Sequence, residues 1–203
     1  MRITVADAYP ASLKLGSECL HIGGETLPYE TLAFWQWSSS DLLGNTTRGV
    51  LAEYIVACAL NSLREKPRQE WVAYDILTPE GIKVEVKSSA YLQTWKQKKP
   101  STISFGIAPT KGWDPVTGWE VEEQRRHADV YVFALLAHKD KLTVDPLDLS
   151  QWIFYVLPTK ILDTQLPSQK TVGLQKLLGL GAVGVNYVDL ALTVVKAARS
   201  HDS

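Results

Sequence analysis

Residues 74–87 read Tyr74-Asp75-Ile76-Leu77-Thr78-Pro79-Glu80-Gly81-Ile82-Lys83-Val84-Glu85-Val86-Lys87, and this stretch predicts a β-hairpin. Its centre, Pro79-Glu80-Gly81, suits a three-residue loop, because Pro opens a type I turn and Gly supplies the left-handed residue that closes it. Thr78 then faces Ile82. Counting outward sets Asp75 directly opposite Glu85, with their β-carbons roughly 5 Å apart.

Asp75 and Glu85 are therefore expected to leave the same face of one sheet. Two carboxylates held this close repel each other, so one of them stays protonated unless a cation lies between them. A divalent metal ion removes that repulsion. The spacing makes both residues candidate metal ligands, and Lys87 shares their face.

The second half of the hairpin alternates between apolar and charged residues. Ile82, Val84 and Val86 occupy one set of positions, while the charged residues of 83–87 occupy the other. This period of two predicts a strand with one buried face. A charged face that simply lies in solvent is the alternative, but it does not call for an Asp opposite Glu85.

The arrangement resembles the PD-(D/E)xK nuclease superfamily, in which an Asp on one strand and a Glu-x-Lys on the next hold magnesium beside the scissile phosphate. Here the Glu-x-Lys is Glu85-Val86-Lys87. The Pro that opens the motif is absent, since Tyr74 precedes Asp75, but its loss removes no metal ligand. The resemblance covers residues 48–157 best.

A helix is predicted from Gly49 to about Leu63, ended by Lys66-Pro67. Glu53 falls on its small and apolar side, where an unpaired carboxylate is costly to bury. In the nuclease superfamily an acidic residue on the helix before the hairpin often helps to hold the metal, and Glu53 resembles it. A salt bridge to Arg48 or Lys87 is the alternative.

The resemblance implies an α/β fold with a restriction endonuclease-like core, a mixed central β-sheet flanked by helices. It implies Mg²⁺, with Mn²⁺ as a substitute, held by Asp75, Glu85, the Val86 carbonyl and Glu53, the last directly or through water. Lys87 would orient the attacking water. The implied activity is DNA endonuclease cleavage of the restriction or repair type, and a homodimer would supply two sites for duplex cleavage.

The composition allows this function without pointing to it. The chain has 203 residues, is 45% hydrophobic and carries a formal net charge of -1, so it lacks a general basic excess. Any DNA contact must be local. The candidate contact residues follow the Glu-x-Lys and are Gln93, Trp95, Lys96, Lys98 and Lys99. A solvated loop is the alternative.

Further strands are predicted at 103–107, 130–136 and 152–157, with 130–136 apolar on both faces like a central strand. Residues 112–119 are turn-rich and contain two tryptophans, so both a loop that reaches toward substrate and a hydrophobic plug on the sheet stay open. The chain after residue 157 is predicted as helical. The expected divisions are a strand and turn extension at 1–45, a nuclease-like core at 46–160 and a helical extension at 161–203. One compact domain is expected to contain all three.

Two other motifs carry less weight. Gly179-Leu180-Gly181-Ala182-Val183-Gly184 matches a dinucleotide-binding fingerprint by letter, but a helical pattern precedes it, so a turn between helices is expected. His127 is a candidate general base, although a lone His at a strand entrance is more often structural.

The amino terminus lacks a signal-peptide core, and no apolar segment approaches ~20 residues, so a cytoplasmic protein without membrane contact is expected.

Two other classes of function stay open at this point. The first is a non-catalytic nucleic-acid-binding module of the same fold, which a different hairpin register would favour. The second is an unrelated α/β interaction protein in which the acidic pair is accidental.

Overall fold

The computed structural model describes residues 11–63, 67–68, 72–114 and 119–199, with side chains given outside 113–123. The chain divides into two compact units, one of residues 1–40 with 64–70 and the other of residues 41–63 with 71–203. No helix in the described ranges is both long enough and apolar enough to cross a bilayer.

The first unit contains a hairpin of β1 (Cys19–Ile22) and β2 (Glu25–Glu30), followed by α1 (Thr31–Ser39). Gly23 and Gly24 form the turn with φ of 57° and 98°, which glycine adopts at little cost. The prediction of strands and turns is confirmed for this hairpin. The same prediction is wrong for Phe34-Trp35-Gln36-Trp37, which lies in α1. The carbonyl oxygens of Glu18 and Gly16 accept the first N–H groups of α1 at 2.8 Å, and so they satisfy donors that the start of a helix leaves unpaired.

The elements of the second unit are, in chain order, α2 (Asn45–Ala59), β3 (Ile76–Leu77), β4 (Lys83–Ala90), β5 (Ser104–Gly106), β6 (Thr110–Asp114), β7 (Trp119–Arg125), β8 (Val130–Leu136), β9 (Trp152–Pro158), α3 (Thr159–Gln165), β10 (Thr171–Gly173), α4 (Leu174–Gly179), β11 (Val183–Val185) and α5 (Leu190–Arg199). Five strands form the main sheet in the order β11-β9-β8-β4-β3. β4 and β8 are parallel, and the other neighbours are antiparallel. The predicted α/β class with a mixed central sheet flanked by helices is confirmed.

Both faces of this sheet are covered. On one face, Val84 and Val86 of β4 belong to a core cluster with Ala52 and Val56 of α2. On the other face, Phe133 of β8 belongs to a second cluster that includes β5, α3 and α4. All seven residues of β8 are buried, so the prediction of a central strand is confirmed.

The predicted boundaries of the helix at 49–63 are wrong at both ends. The helix α2 begins at Asn45, and Arg48 N already donates to Gly44 O at 2.8 Å. It ends at Ala59, because Asn61 adopts a left-handed φ of 50°. Ser62 N donates to Ala57 O and Asn61 N to Cys58 O, which is the Schellman pattern. Asn61, rather than Lys66-Pro67, therefore stops the helix.

The strand predicted at 103–107 is confirmed over residues 104–106, but it is not part of the main sheet. Residues 104–106 do form β5, but β5 pairs with β10 in a separate two-stranded sheet. The Phe105 ring meets the Phe133 ring edge-on, with centroids 5.1 Å apart. The segment therefore belongs to the core on one face of the main sheet and is not one of its strands.

Two regions predicted as irregular or helical contain further strands. The turn-rich stretch 112–119 is strand up to Asp114, because β6 pairs with β7; residues 115–118 lie outside the described part of the chain. The carboxyl-terminal helices are confirmed, but β10 and β11 lie between them. Gly181, with φ of 88°, connects α4 to β11, so the glycine-rich motif joins a helix to a strand.

Candidate functional site

The β3–β4 hairpin has the register that its turn residues predict. Ile76 pairs with Val84 and Leu77 with Lys83, and Asp75 directly precedes β3, beside residues 84–86 of β4. Thr78 N donates to Ile82 O at 2.9 Å, and Gly81 closes the loop with φ of 86°. A non-glycine residue rarely adopts that φ, so Gly81 helps to fix the register.

The carboxylate of Asp75 is held against the backbone of β4. Its Oδ2 accepts a hydrogen bond from Val86 N at 2.7 Å, while Asp75 N donates to Val84 O at 3.1 Å. Burial, and then the charges of Glu85 and Glu53, raise the pKa of Asp75 to about 7, against the opposing effects of the Val86 N–H and Lys87. Near neutral pH, this carboxyl group is poised between its charged and neutral forms.

Glu85 and Lys87 lie two residues apart on the same side of β4 and form an ion pair. Lys87 Nζ is 2.5 Å from Glu85 Oε1. The side chain of Lys87 is 34% exposed and that of Glu85 is 18% exposed. Burial alone would lower the pKa of Lys87, but the carboxylates of Glu85, Asp75 and Glu53 raise it above its ordinary value. Lys87 is therefore a protonated ammonium surrounded by negative charge.

Glu53 reaches this cluster from α2. It is half-buried, and its charge acts on both Asp75 and Lys87. Within the described ranges, no three carboxylate, histidine or cysteine side chains come close enough together to bind one metal ion. The hairpin thus presents the pair Asp75 and Glu85, with Glu53 as a third charge farther out.

Sequence reasoning missed Arg48 as part of the site's support. Arg48 is 4% exposed and ties the start of α2 to β4, because its Nε donates to Ser88 Oγ at 3.2 Å. Its other nitrogens donate to the Leu43 carbonyl at 2.9 Å and to Asn45 Oδ1 at 2.8 Å. Burial lowers its pKa. The signal that the sequence offered was the position of Arg48 directly before the predicted helix.

Tyr131 was missed as well. It pairs with Glu85 across the parallel β4–β8 register and is 3% exposed. Burial, and then the charge of Glu85, raises its pKa. No local signal reveals this neighbour, since the register of two parallel strands is set by distant parts of the chain.

The predicted nucleic-acid contacts follow the end of β4. Trp95 is 53% exposed, and Lys96, Lys98 and Lys99 are exposed. Gln93 is only 7% exposed, and its Nε2 donates to Ala90 O at 3.2 Å and Ser101 Oγ at 3.3 Å. These contacts give Gln93 a role within the loop, and its contact with nucleic acid stays a prediction.

His127 is held by its own neighbourhood. Its Nε2 lies 3.0 Å from Thr110 O, and Arg125 Nε donates to its Nδ1 at 3.4 Å. A Cβ added at Gly112 would lie 2.7 Å from the His127 ring, so the ring packs directly on that strand. These contacts agree with the structural role expected for His127.

The mixed central sheet flanked by helices is consistent with an α/β nuclease-like core. Residues 25–176 match the family model described as Bacteriophage T4 endonuclease IV. Because this match covers more than half of the 203 residues, the chain belongs to that family and is a nuclease. No curated relative matches the chain.

Proposed function

We propose that this nuclease is a Mg²⁺-dependent DNA endonuclease whose site is of the PD-(D/E)xK type, with Mn²⁺ able to substitute. One observation carries the proposal. The Asp75 carboxylate accepts a hydrogen bond from Val86 N, next to Glu85, and Lys87 contacts Glu85 on the same side of β4. An endonuclease family supplies the class of reaction, and this cluster supplies the residue types that such a reaction uses.

The residues of the cluster fit a hard divalent cation. Mg²⁺ prefers oxygen ligands and is usually bound by one or two carboxylates, with waters and substrate phosphates completing its shell. Asp75 and Glu85 would supply the carboxylates, the Val86 carbonyl a third oxygen and Glu53 a contact through water. Burial and the neighbouring carboxylates raise the pKa of Asp75 to about 7, and a cation would offset part of that repulsion.

The roles of the protein's own groups follow from their charges. The Lys87 ammonium is a compact charge with three donors, so it can orient the attacking water and stabilise negative charge on the phosphate. Glu85 holds that ammonium in place at 2.5 Å. When bound, Mg²⁺ would supply Lewis-acid stabilisation of charge on the phosphate oxygens.

The proposed substrate is DNA, and the proposed contacts outside the cluster are Gln93, Trp95, Lys96, Lys98 and Lys99. Lysines on an exposed loop bind phosphates without reading sequence. A homodimer of the restriction or repair type would place one site on each strand of a duplex. This arrangement is part of the proposal and predicts double-strand breaks at high protein concentration.

The non-catalytic alternative depended on a register that separates the ligands. Val86 N–H holds the Asp75 carboxylate at 2.7 Å, and the charge of the neighbouring Glu85 acts on Asp75. This observation supports the catalytic proposal over the binding module.

The test is cleavage of supercoiled plasmid by the purified protein with Mg²⁺ or Mn²⁺, followed as nicked and linear product. The comparison variant is Lys87→Ala, and Lys83→Ala is its matched control, because Lys83 is an exposed lysine on the same strand. We expect cleavage by the wild type and Lys83→Ala, and its loss with Lys87→Ala or EDTA. Equal cleavage by both variants would overturn the proposed site, and cleavage in EDTA would overturn the metal dependence.

A further inference from the structure

The segment that follows β4, residues 91–101, is closed by one of its own glutamines. Gln97 Oε1 accepts from Gln93 N at 2.7 Å, and Gln97 Nε2 donates to Tyr91 O at 3.2 Å and Ser101 Oγ at 3.0 Å. Ser101 N donates to Tyr91 O at 2.8 Å and joins the two ends. We call this segment the clasped loop. These hydrogen bonds already order the backbone of the loop, so the loop would lose little further conformational entropy on binding a ligand.

A second loop, residues 137–148, contacts the clasped loop. It follows β8, and the parallel register pairs Ala90 with Leu136, so both loops leave the same edge of the sheet. Lys141 Nζ donates to Trp95 O at 2.9 Å. Lys139 Nζ lies 4.3 Å from the centroid of the Tyr91 ring. The second loop thus adds two lysines to the surface that carries Trp95.

The two loops together place five exposed lysines at one edge of the sheet, namely Lys96, Lys98, Lys99, Lys139 and Lys141. Three aspartates also lie on the second loop, and each accepts hydrogen bonds within its own turn: Asp140 from Leu142 N and Thr143 Oγ1, Asp145 from Leu147 N, and Asp148 from Ser150. Their oxygens are partly occupied. The Lys141 ammonium donates one hydrogen bond to Trp95 O and has two further N–H groups that can donate to an anion.

We propose that the two loops form one binding surface for the phosphate backbone of a nucleic acid, with Lys139 and Lys141 as contact residues and Gln97 as the residue that positions the surface. The inference rests on the proposed function. Lys87 and Ala90 are three residues apart on β4, or about 10 Å along a strand. Phosphates next to the scissile bond would therefore reach this edge.

The first experiment measures binding of a labelled DNA oligonucleotide in EDTA at a series of salt concentrations, in duplex and in single-stranded form. The variant is Lys139→Ala/Lys141→Ala. Its matched control is Lys160→Ala/Lys176→Ala, which removes the same charge from exposed lysines of α3 and α4. α3 follows the end of β9 that pairs with the start of β8, so Lys160 lies near the opposite edge of the sheet.

We expect the slope of log affinity against log salt to fall by about 1.5 to 2 in the variant and to stay unchanged in the control. Equal slopes in the wild type and the variant, or an equal fall in the control, would overturn the surface. The plasmid assay with Lys87→Ala does not depend on this result. If the wild type cleaves plasmid but the Lys139→Ala/Lys141→Ala variant keeps the wild-type salt slope, only the inference about the two loops is contradicted.

The second experiment tests Gln97 through Gln97→Ala. Its expected effect is a higher KM with kcat retained, together with faster hydrogen exchange at the amides of Gln93 and Ser101. A far-UV circular dichroism melt checks that the rest of the protein stays folded. If exchange accelerates while KM stays at the wild-type value, Gln97 is structural only and its positioning role is wrong.

Discussion

The hairpin cluster and the clasped loop lie on successive parts of the same chain segment, yet they hold their charges in opposite ways. Asp75, Glu85 and Lys87 are half-buried and act strongly on one another. Lys96 and Lys98 of the loop are exposed. Buried charges of like sign cost folding free energy, whereas exposed lysines cost little. The difference matches the proposed division, in which the cluster performs the chemistry and the loop supplies affinity.

Removing charge from the cluster should have the largest effect. Glu85→Gln removes a proposed metal ligand and the partner of Lys87, so we expect cleavage to fall by at least ~10²-fold. The rate of plasmid nicking with Mg²⁺ measures this fall in cleavage. Glu80→Gln, an exposed carboxylate in the turn of the same hairpin, is the control and should retain the wild-type rate. A Glu85→Gln variant with wild-type activity would show that the cluster is not the active site.

The second effect concerns stability and its dependence on pH in EDTA. The pKa of Asp75 is raised from 3.8 to about 7. Between these values the folded state binds more protons than the unfolded state, so the free energy of unfolding falls as the pH rises through this window. Well above pH 7 the loss is complete, on the order of 4 kcal/mol. Asp75→Asn should therefore be more stable than the wild type at pH 8.

Urea unfolding of both proteins at pH 5 and pH 8 measures this difference. Glu80→Gln again provides the control and should follow the wild-type pH dependence. Mg²⁺ should raise the stability of the wild type at pH 8 and have little effect on Asp75→Asn, because a ligand that binds the folded state stabilises it. If Asp75→Asn is less stable than the wild type at pH 8, the Asp75 carboxylate is part of a structural network instead.

The third effect belongs to the loop and should leave stability alone. In Lys96→Ala/Lys98→Ala/Lys99→Ala, we expect the salt slope of DNA binding to fall by about 2 to 3, while stability changes by no more than ~0.5 kcal/mol. Binding titrations at several salt concentrations and a urea melt measure the two quantities. Lys160→Ala/Lys170→Ala/Lys176→Ala removes an equal charge from exposed positions elsewhere. If this control lowers the slope equally, net charge rather than the loop explains the binding.

The smallest effect concerns the turn that fixes the hairpin register. Gly81 has a φ of 86°. Gly81→Ala should cost about 1 kcal/mol, because a Cβ is disfavoured in the left-handed region. Gly81→Asn should cost less, since Asn tolerates that region better. Thermal unfolding measures both, and equal stability of the alanine variant and the wild type would show that the turn contributes little to the register.

The features that sequence predicts best are those fixed by local chemistry. Pro79 and Gly81 define the hairpin loop, and the pairs of Leu77 with Lys83 and Ile76 with Val84 follow from counting outward from it. The apolar run 130–136 likewise predicts a buried central strand. In each case, residues adjacent in sequence carry the whole signal.

The features that sequence does not predict depend on distant partners. β5 resembles a core strand, but its partner β10 lies more than sixty residues later in the chain. Tyr131 reaches Glu85 only through the parallel register of β4 and β8. Gln97 closes its loop through contacts that a list of polar residues does not reveal. Such pairings are set by tertiary packing rather than by local pattern.

Single-turnover cleavage of labelled DNA with Mg²⁺, over a range of enzyme concentrations, tests the central division between chemistry and affinity most directly. It separates the rate at saturation from the concentration that gives half of that rate. The account predicts that Glu85→Gln loses the saturated rate, while Lys96→Ala/Lys98→Ala/Lys99→Ala keeps it and needs more enzyme to reach it. A triple variant that loses the saturated rate as Glu85→Gln does, or a Glu85→Gln variant that keeps it, would contradict the account.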